Sequence, residues 1–222
     1  MEVLIYQKFS FHLSKFQMKN KSIGINQRIP LDALHASLDA YLDDIYSYDY
    51  VLEQLQLEFK GENRLRKAVR IINKIISKNP EIDFINQNRE EIKNALQKQN
   101  DRNIILISLL NISYPFSFSV LNAFGRYFKV QNIVNTEIIK KNVSSVYGGN
   151  RATENGIYSV IPMLLEARFF ERVKKGLYEF DTSIVTSYDI TEQLFYKSFK
   201  VNSLQDLETN KFSEPYFIFI KN

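Results

Sequence analysis

Between residues 113 and 181 the sequence predicts three helices and then a β-hairpin, and this order restricts the possible folds more than any other feature. Ser113 can cap the first helix, and Asn135 or Thr136 can cap the second. The second helix ends at the glycine pair 148–149, because glycine adopts the backbone conformations that stop a helix. Helical spacing predicts one buried face for each helix. These faces consist of Phe116, Val120, Phe124 and Tyr127 in the first helix and of Ile139, Val143 and Val146 in the second.

A third helix is predicted after a very short turn. Asn150 or Thr153 can cap it, since both side chains accept hydrogen bonds from the first backbone N–H groups of a helix. Pro162 lies inside this pattern, and an interior proline removes one backbone hydrogen bond. The third helix is therefore predicted to bend or to begin late. Its predicted inward face consists of Ile157, Ile161, Leu164 and Leu165.

Residues 168–180 contain two short apolar runs on either side of Lys174-Lys175-Gly176. Gly176 can adopt the positive φ angle that a tight hairpin turn needs. Three helices with a short turn between the last two, followed by a hairpin with a basic tip, form the order of elements in a winged helix. The predicted fold class is therefore mainly α. The predicted units are a helical N-terminal domain over residues 1–100, a winged helix-turn-helix with a small β-hairpin wing over 101–182, and a C-terminal extension over 183–222 that packs on the body.

A winged helix predicts double-stranded DNA as the partner, because the last helix of a helix-turn-helix enters the major groove and presents its N-terminal residues to base edges. Cations beside that helix contact phosphates, which set affinity but not sequence preference. The residues predicted to contact bases are Arg151, Thr153, Asn155 and Tyr158, and those predicted to contact phosphates are Lys140, Lys141, Arg172, Lys174 and Lys175. Winged helices also serve as protein-interaction modules. A protein-interaction scaffold and a transcriptional regulator of its own operon therefore stay open as alternatives.

Charge is unevenly distributed in the N-terminal part. Residues 31–58 hold seven acids and no base, whereas residues 60–79 hold seven bases and one acid. The acidic segment is predicted to be helical, with Leu31, Leu34, Leu38, Leu42 and Ile45 on one face. In the basic segment, a helix that ends at Asn79-Pro80 buries Leu65, Val69, Ile72 and Ile76. Its opposite face is a second candidate DNA surface or a solvated helix face. The cations of this face are Arg64, Lys67, Arg70 and Lys74, followed by Lys78.

Three blocks of the chain are similar to the BrxA family, small helical proteins of the bacteriophage exclusion (BREX) defence systems. The blocks are the basic helix 63–76, the apolar helix and aromatic pair of 102–116, and the helix 153–168 that ends in Met163-Leu-Leu-Glu-Ala-Arg168. The resemblance implies a non-enzymatic DNA-binding accessory of a multi-protein anti-phage system, with other proteins of that system as partners. The chain departs from the family at Arg168-Phe169, where a glycine is common, at Pro162, and in the segment after the hairpin.

The residue types of the common catalytic and metal sites are sparse. The chain has no cysteine and only two histidines, so neither a metal site nor a cofactor is predicted. Glu58-Phe59-Lys60 matches half of a metal-dependent nuclease site, with Asp44 or Asp49 as a second carboxylate, but such sites are normally held on strands. His35 has Asp32 and Asp39 at helical spacing, which is typical of a surface ion pair. No catalytic residue is predicted.

The remaining expectations concern location and the chain ends. No secretory signal pattern begins the sequence, so a cytoplasmic location is expected. Residues 104–125 carry no charge and are long enough to span a bilayer, but Pro115 and several polar side chains favour two buried helices joined by a turn. Phe9, Phe11 and Leu13 alternate as in a strand, whose predicted partner is the run Tyr216–Ile220. One more helix is predicted over Thr191–Phe199.

Overall fold

The computed structural model describes residues 22–203 and 214–221, and this part of the chain is mainly helical. Its α-helices are α1 (Leu31–Leu42), α2 (Tyr48–Gln56), α3 (Glu62–Ile75), α4 (Ile82–Gln87), α5 (Arg89–Leu96), α6 (Gln99–Ser113), α7 (Pro115–Phe128), α8 (Thr136–Tyr147), α9 (Arg151–Glu166) and α10 (Asp189–Asn202). Its strands are β1 (Ile133–Asn135), β2 (Glu171–Lys174), β3 (Leu177–Glu179), β4 (Ile184–Val185) and β5 (Ile220–Lys221), and a 3-10 helix covers Pro215–Phe219.

Helix α6 lies at the centre of the fold. Every residue from Asn103 to Ser113 is buried, and the helix packs against α1, α3, α5, α7 and α10. A helix that is apolar on all sides is stable only when other elements surround it. The uncharged segment is therefore two buried helices separated at Tyr114, as predicted, and Pro115 begins the second one. The predicted cap was wrong, because Ser113 ends α6 and its hydroxyl donates to the Lys74 carbonyl at 2.9 Å.

None of the helices in the described ranges combines the length and the apolar character that crossing a bilayer requires.

The acidic segment forms two helices rather than one. Helix α1 ends at Leu42, Asp44 adopts a φ angle of 60°, and α2 starts after Ser47, whose hydroxyl accepts from the Tyr50 N–H at 3.1 Å. Four of the five predicted core positions are buried, but Ile45 is 61% exposed. The chain has left the helical path before Ile45, so the spacing no longer places that side chain on the inner face.

The basic segment folds as the amphipathic helix α3. Val69, Ile72 and Ile76 are buried and Leu65 is partly buried, in agreement with the predicted face. The helix ends at Ile75, four residues before the predicted boundary at Asn79. The Asn79 amide nitrogen donates to the Ile75 carbonyl at 2.6 Å and so covers one of the acceptors that the helix end leaves free.

Buried residues from all three predicted units form one continuous cluster, which runs from Ile25 to Ile220. Helix α10 packs along α6, and the 3-10 helix packs on α7, where a side chain at Gly125 would collide with the Pro215 carbonyl. The hydroxyl of fully buried Tyr216 accepts from the Asn111 amide at 2.8 Å. Burial raises the pKa of Tyr216 far above its ordinary value. The described residues after 182 thus contribute to the same core as the rest of the fold.

The C-terminal strand prediction was wrong in its main part. Tyr216 to Phe219 lie in the 3-10 helix, and only Ile220 and Lys221 extend as β5, which pairs in parallel with β4. The apolar residues of a single 3-10 turn cannot be told from those of a short strand by spacing alone. The predicted partner strand at Phe9, Phe11 and Leu13 lies outside the described residues.

Two carboxylates connect helices that are distant in sequence. Glu166, the last residue of α9, accepts from the Leu31 N–H at 2.8 Å and from Arg28 at 2.8 Å, so it caps the start of α1. Asp101, in the first turn of α6, is fully buried and accepts from the Ser187 and Tyr188 N–H groups at the start of α10. Each contact supplies a partner for backbone donors at a helix start, where the helix itself offers none.

Candidate nucleic-acid interface

The second half of the described chain builds a small sheet beside three helices. Strands β1, β3 and β2 pair in that order, all antiparallel, so β2 and β3 form a hairpin and β1, which precedes α8, joins its far side. Gly176 has a φ angle of 78°, the conformation predicted for the hairpin turn. Its carbonyl accepts from the Thr136 N–H at 2.9 Å, which fixes the hairpin tip against the start of α8.

Helix α8 is capped by Asn135, whose side chain accepts from the Ile138 N–H at 2.9 Å, and it ends at Gly148. Ile139 and Val143 are buried as predicted. Val146 is 47% exposed, so its predicted burial was wrong. The last turn of α8 faces an open groove instead of the core, which leaves this side chain without an apolar cover.

Helix α9 begins at Arg151 directly after its cap, Asn150, and continues as a single helix through Pro162. Of the two predicted alternatives, a bend or a late start, the late start is therefore excluded. Thr153 cannot read a base, because its side chain is fully buried and its hydroxyl donates to the Gly148 carbonyl at 2.7 Å. Thr153 precedes Ile157 by four residues and so extends the buried row of α9 by one turn.

Three of the predicted base-contacting residues lie on the outer face of α9. Arg151, Asn155 and Tyr158 are exposed, and their spacing of four and three residues puts them on one stripe. Tyr158 is 55% exposed. Arg151 occupies the first position of the helix, where the free backbone N–H groups favour negatively charged groups nearby.

Lys140 connects α8 to this stripe. Its Nζ lies 5.0 Å from the centre of the Tyr158 ring and 2.9 Å from Glu137 Oε1. Contacts with the Tyr158 hydroxyl first and with Glu137 second raise the pKa of Lys140 well above its ordinary value. Because Glu137 compensates the charge of Lys140, this lysine is not a free cation. Its contact with the Tyr158 ring instead orients that side chain. The neighbouring Lys141 is exposed.

Strand β2 and the hairpin tip carry cations on a solvent-facing edge. All four residues of β2 are exposed, including Arg172 and Lys174, and Lys175 follows at the tip. The Arg172 guanidinium lies 5.8 Å from the centre of the Tyr178 ring, which favours an orderly side chain. Five cations of this region form what we name the free cation set: Lys141, Arg151, Arg172, Lys174 and Lys175. Within the described residues, no acidic group lies within 4.0 Å of any of them.

The basic face of α3 forms a separate surface. Arg64, Lys67, Arg70 and Lys74 are all exposed, and the described residues offer them no ion pair. The intervening Arg66 is compensated by Glu62. Lys74 lies at the end of this face, with its Nζ 4.3 Å from the centre of the Tyr114 ring.

A groove of about 670 Å³ lies between the two basic surfaces. Lys74 lines it from α3, Asn142 and Tyr147 line it from α8, and Arg126 lines it from α7. Arg126 is not among the residues predicted from the sequence. Asn122 and Arg126 follow Ser119 at intervals of three and four residues, so the polar face of α7 was the available signal.

The residues considered for catalysis are not gathered together. Glu58 and Lys60 are exposed in the loop after α2, whereas Asp44 binds Arg89 at 2.6 Å, a hydrogen bond that holds the pKa of this aspartate below its ordinary value. His35 Nε2 lies 3.1 Å from Asp39, as an ion pair would require. Burial nevertheless lowers the pKa of His35, so the histidine is mainly neutral at pH 7. In residues 22–203 and 214–221, no three His, Cys, Asp or Glu side chains are arranged to hold a metal ion.

No protein-family model matches this chain, and no curated protein or solved structure matches it either. The arrangement of its own residues is therefore the basis for the proposals that follow.

Proposed function

We propose that this chain is a non-enzymatic protein that binds duplex DNA through a winged helix. In this interpretation α7, α8 and α9 are the three helices, β1 closes the sheet, and β2 with β3 forms the wing. The free cation set carries the proposal, because its five uncompensated positive charges lie on α8, on α9 and on the hairpin, which are elements of the predicted winged helix. Positive charge in that arrangement suits the phosphates on either side of a major groove.

The roles follow from the position of each side chain. Arg151 and Asn155 lie in the first two turns of α9, where long polar side chains can reach base edges. Lys141, Arg172, Lys174 and Lys175 contact phosphates, which position the protein without reading sequence. Tyr158 contacts the sugar-phosphate backbone beside the groove, since Lys140 holds its ring. Thr153 has no direct part.

The basic face of α3 is a second DNA-contacting surface in this proposal. Four exposed cations on one helix face, without compensating acids among the described residues, favour a polyanion over a neutral partner. The resemblance to the BrxA family supports the further proposal that the protein is an accessory of a BREX-like anti-phage system. The gene beside it is then expected to encode another component of that system, such as a methyltransferase, a large ATPase or a phosphatase-like protein.

The first prediction tests duplex binding through its dependence on salt. The four phosphate contacts of the winged helix alone give a slope of about −3.6 in a plot of log K against log salt, from about 0.9 per contact. Doubling the salt from about 0.1 M to about 0.2 M should therefore weaken binding of a labelled duplex about 12-fold or more. Fluorescence anisotropy measures the slope, and a slope near zero or no binding at low salt would contradict the proposal.

A protein-interaction scaffold is the second candidate function, and the edge strand β2 favours it. Among the residues that the structure describes, β2 pairs only with β3, and Val173 on it is 52% exposed, so an extended peptide could add to this edge. Absence of duplex binding at low salt, together with an intact fold, would make this candidate the leading one.

The second prediction concerns the absence of nuclease activity. Plasmid DNA incubated with the protein and Mg²⁺ or Mn²⁺ should stay intact, because Asp44 is bound to Arg89 and Glu58 is solvated. Agarose gel electrophoresis of the plasmid measures this. Cleavage that is lost in both Glu58→Ala and Lys60→Ala would show that this segment is a catalytic site.

A further inference from the structure

The groove between the two basic surfaces combines cations with unpaired amide oxygens in its wall, and duplex binding by the two surfaces does not account for this combination. It is lined by α7, by the last turns of α8 and α10, and by Lys74 of α3, and its volume of about 670 Å³ suits a small ligand or one residue of a polymer. A DNA duplex is far too wide to enter this protein groove, because the major groove of the duplex alone is about 12 Å wide. The occupant must therefore be a thin, partly polar group.

The charge of the groove favours an anionic occupant. Lys74 and Arg126 are exposed cations on its wall, and Glu214 is the acid among the described lining residues. Neither cation has an ion pair in the described part of the chain. The Tyr114 ring holds the Lys74 ammonium group in place at the wall.

Two amide oxygens in the groove wall lack hydrogen-bond donors. They are Asn122 Oδ1 and Asn202 Oδ1, and both are shielded from bulk water. The Asn202 nitrogen donates to the Asn111 and Ser198 carbonyls at 3.0 and 2.7 Å, which fixes that amide with its oxygen on the other side. The last torsion of asparagine is broad, so the Asn122 oxygen can turn toward a donor that enters the groove. A buried acceptor without a donor destabilises the fold, and a donor from a bound ligand would remove that cost.

We propose that this groove binds a nucleotide of single-stranded DNA, with phosphates at Lys74 and Arg126 and a base amino group donating to Asn122. A nucleotide suits both features of the groove wall. Its phosphate is an anion for the two cations, and its base carries N–H groups that can donate to the unpaired Asn122 oxygen. Adenine and cytosine carry such an amino group, whereas thymine does not. The inference rests on the proposed DNA-binding function and deepens it, since Lys74 belongs both to the basic face of α3 and to the groove.

The test compares a labelled oligo(dC) of about 15 nucleotides with oligo(dT) of the same length and with a duplex. In fluorescence anisotropy at low salt, Arg126→Glu should weaken oligo(dC) binding about tenfold, because it replaces a phosphate contact with repulsion. Duplex binding should change less than about threefold, since Arg126 lies outside the free cation set. Lys98→Glu is the matched control, because Lys98 lies at the opposite end of α6 from Tyr114, about 24 Å away along the helix.

A second variant separates a binding role from a structural one. Asn122→Leu removes the unpaired oxygen while conserving side-chain size, so the melting temperature should stay the same or rise. The preference for oligo(dC) over oligo(dT) should disappear at the same time. A residue with a merely structural role would instead lower the melting temperature and leave this preference unchanged.

The possible outcomes distinguish the groove from the duplex surface. Oligo(dC) binding that both Arg126→Glu and Asn122→Leu reduce supports the groove inference, even if duplex binding fails. Duplex binding with no measurable oligo(dC) binding, or with oligo(dC) binding insensitive to both variants, overturns the groove inference alone. If none of the three DNA probes binds, both proposals are overturned.

Discussion

Replacing Asp101 with alanine is expected to lower the free energy of unfolding by about 3 kcal/mol. The carboxylate is fully buried and accepts from the Ser187 N–H at 3.0 Å, from the Tyr188 N–H at 3.1 Å and from the Thr191 hydroxyl at 2.7 Å. Helix α10 has no capping side chain of its own, so Asp101 performs that role from α6. Alanine would leave the partly buried Ser187 and Tyr188 N–H groups and the buried Thr191 hydroxyl without this acceptor, and the loss of a partner costs about 1 to 3 kcal/mol for a buried group.

Urea unfolding and thermal melting measure this effect. For a chain of this size, about 3 kcal/mol corresponds to a fall in the melting temperature of about 9 °C. Thr191→Val, which removes one of the donors, should cost only about 1 kcal/mol. Asp32→Ala is the matched control, because Asp32 is an exposed acid in the first turn of α1 and its loss should cost about 0.5 kcal/mol. An Asp101→Ala protein as stable as the Asp32→Ala protein would contradict the capping role.

Local signals in the sequence predicted the local structure well. Asn135 and Asn150 cap α8 and α9, Gly148 ends α8, and Gly176 turns the hairpin. Each of these depends on the backbone preferences of one residue and on contacts within four positions. The order of the three helices and the hairpin therefore followed from the sequence alone, whereas strand β1 was not predicted.

The burial predicted from apolar spacing was wrong where a helix had ended or where it met an open surface. Ile45 and Val146 fit the apolar patterns but lie beyond a helix end and beside the groove, respectively. Thr153 was predicted to face DNA because of its position near the helix start, yet it continues a buried row. A periodic pattern identifies one face of a helix but does not say which neighbour covers each turn.

Contacts between residues distant in the chain could not be predicted from the sequence. The carboxylates of Asp101 and Glu166 cap helices that start far away in the chain, and the Lys140 contact with Tyr158 crosses between two helices. Acidic residues in a first turn are common, so Asp101 gave no sign that it also serves α10. The site residues could thus be named, but their division into buried, compensated and free side chains required the structure.

Reversing the charge of Lys174 and Lys175 to glutamate is expected to weaken duplex binding about 100-fold or more at about 0.1 M salt. One phosphate contact is worth a factor of about 8 at that salt, so two lost contacts give about 60-fold, and the added repulsion increases the loss. The slope of log K against log salt should flatten by about 1.8. Folding should survive, because both side chains are exposed at the hairpin tip. The loss should be equal on every sequence, as phosphate contacts require.

Two further variants and a charge-matched control show which surface binds the duplex. Arg151→Ala should cost about 1 to 3 kcal/mol on a preferred site and much less on random DNA, if Arg151 reads a base. Reversal of Lys67, Arg70 and Lys74 removes the α3 face and should also weaken binding to every sequence. Lys98→Glu with Lys221→Glu changes the net charge as much as the wing variant does, at exposed positions outside both surfaces, and should leave affinity nearly unchanged.

The comparison of these variants decides between the two basic surfaces. Because the free cation set and the α3 face share no residue, their contributions are separable, and a double reversal on one side leaves every proposed contact on the other in place. If the wing variant and Arg151→Ala bind like the control while the α3 reversal abolishes binding, the winged helix does not contact the duplex. The protein would then bind DNA through α3 alone, and the three-stranded sheet with its open β2 edge would be the surface for a protein partner.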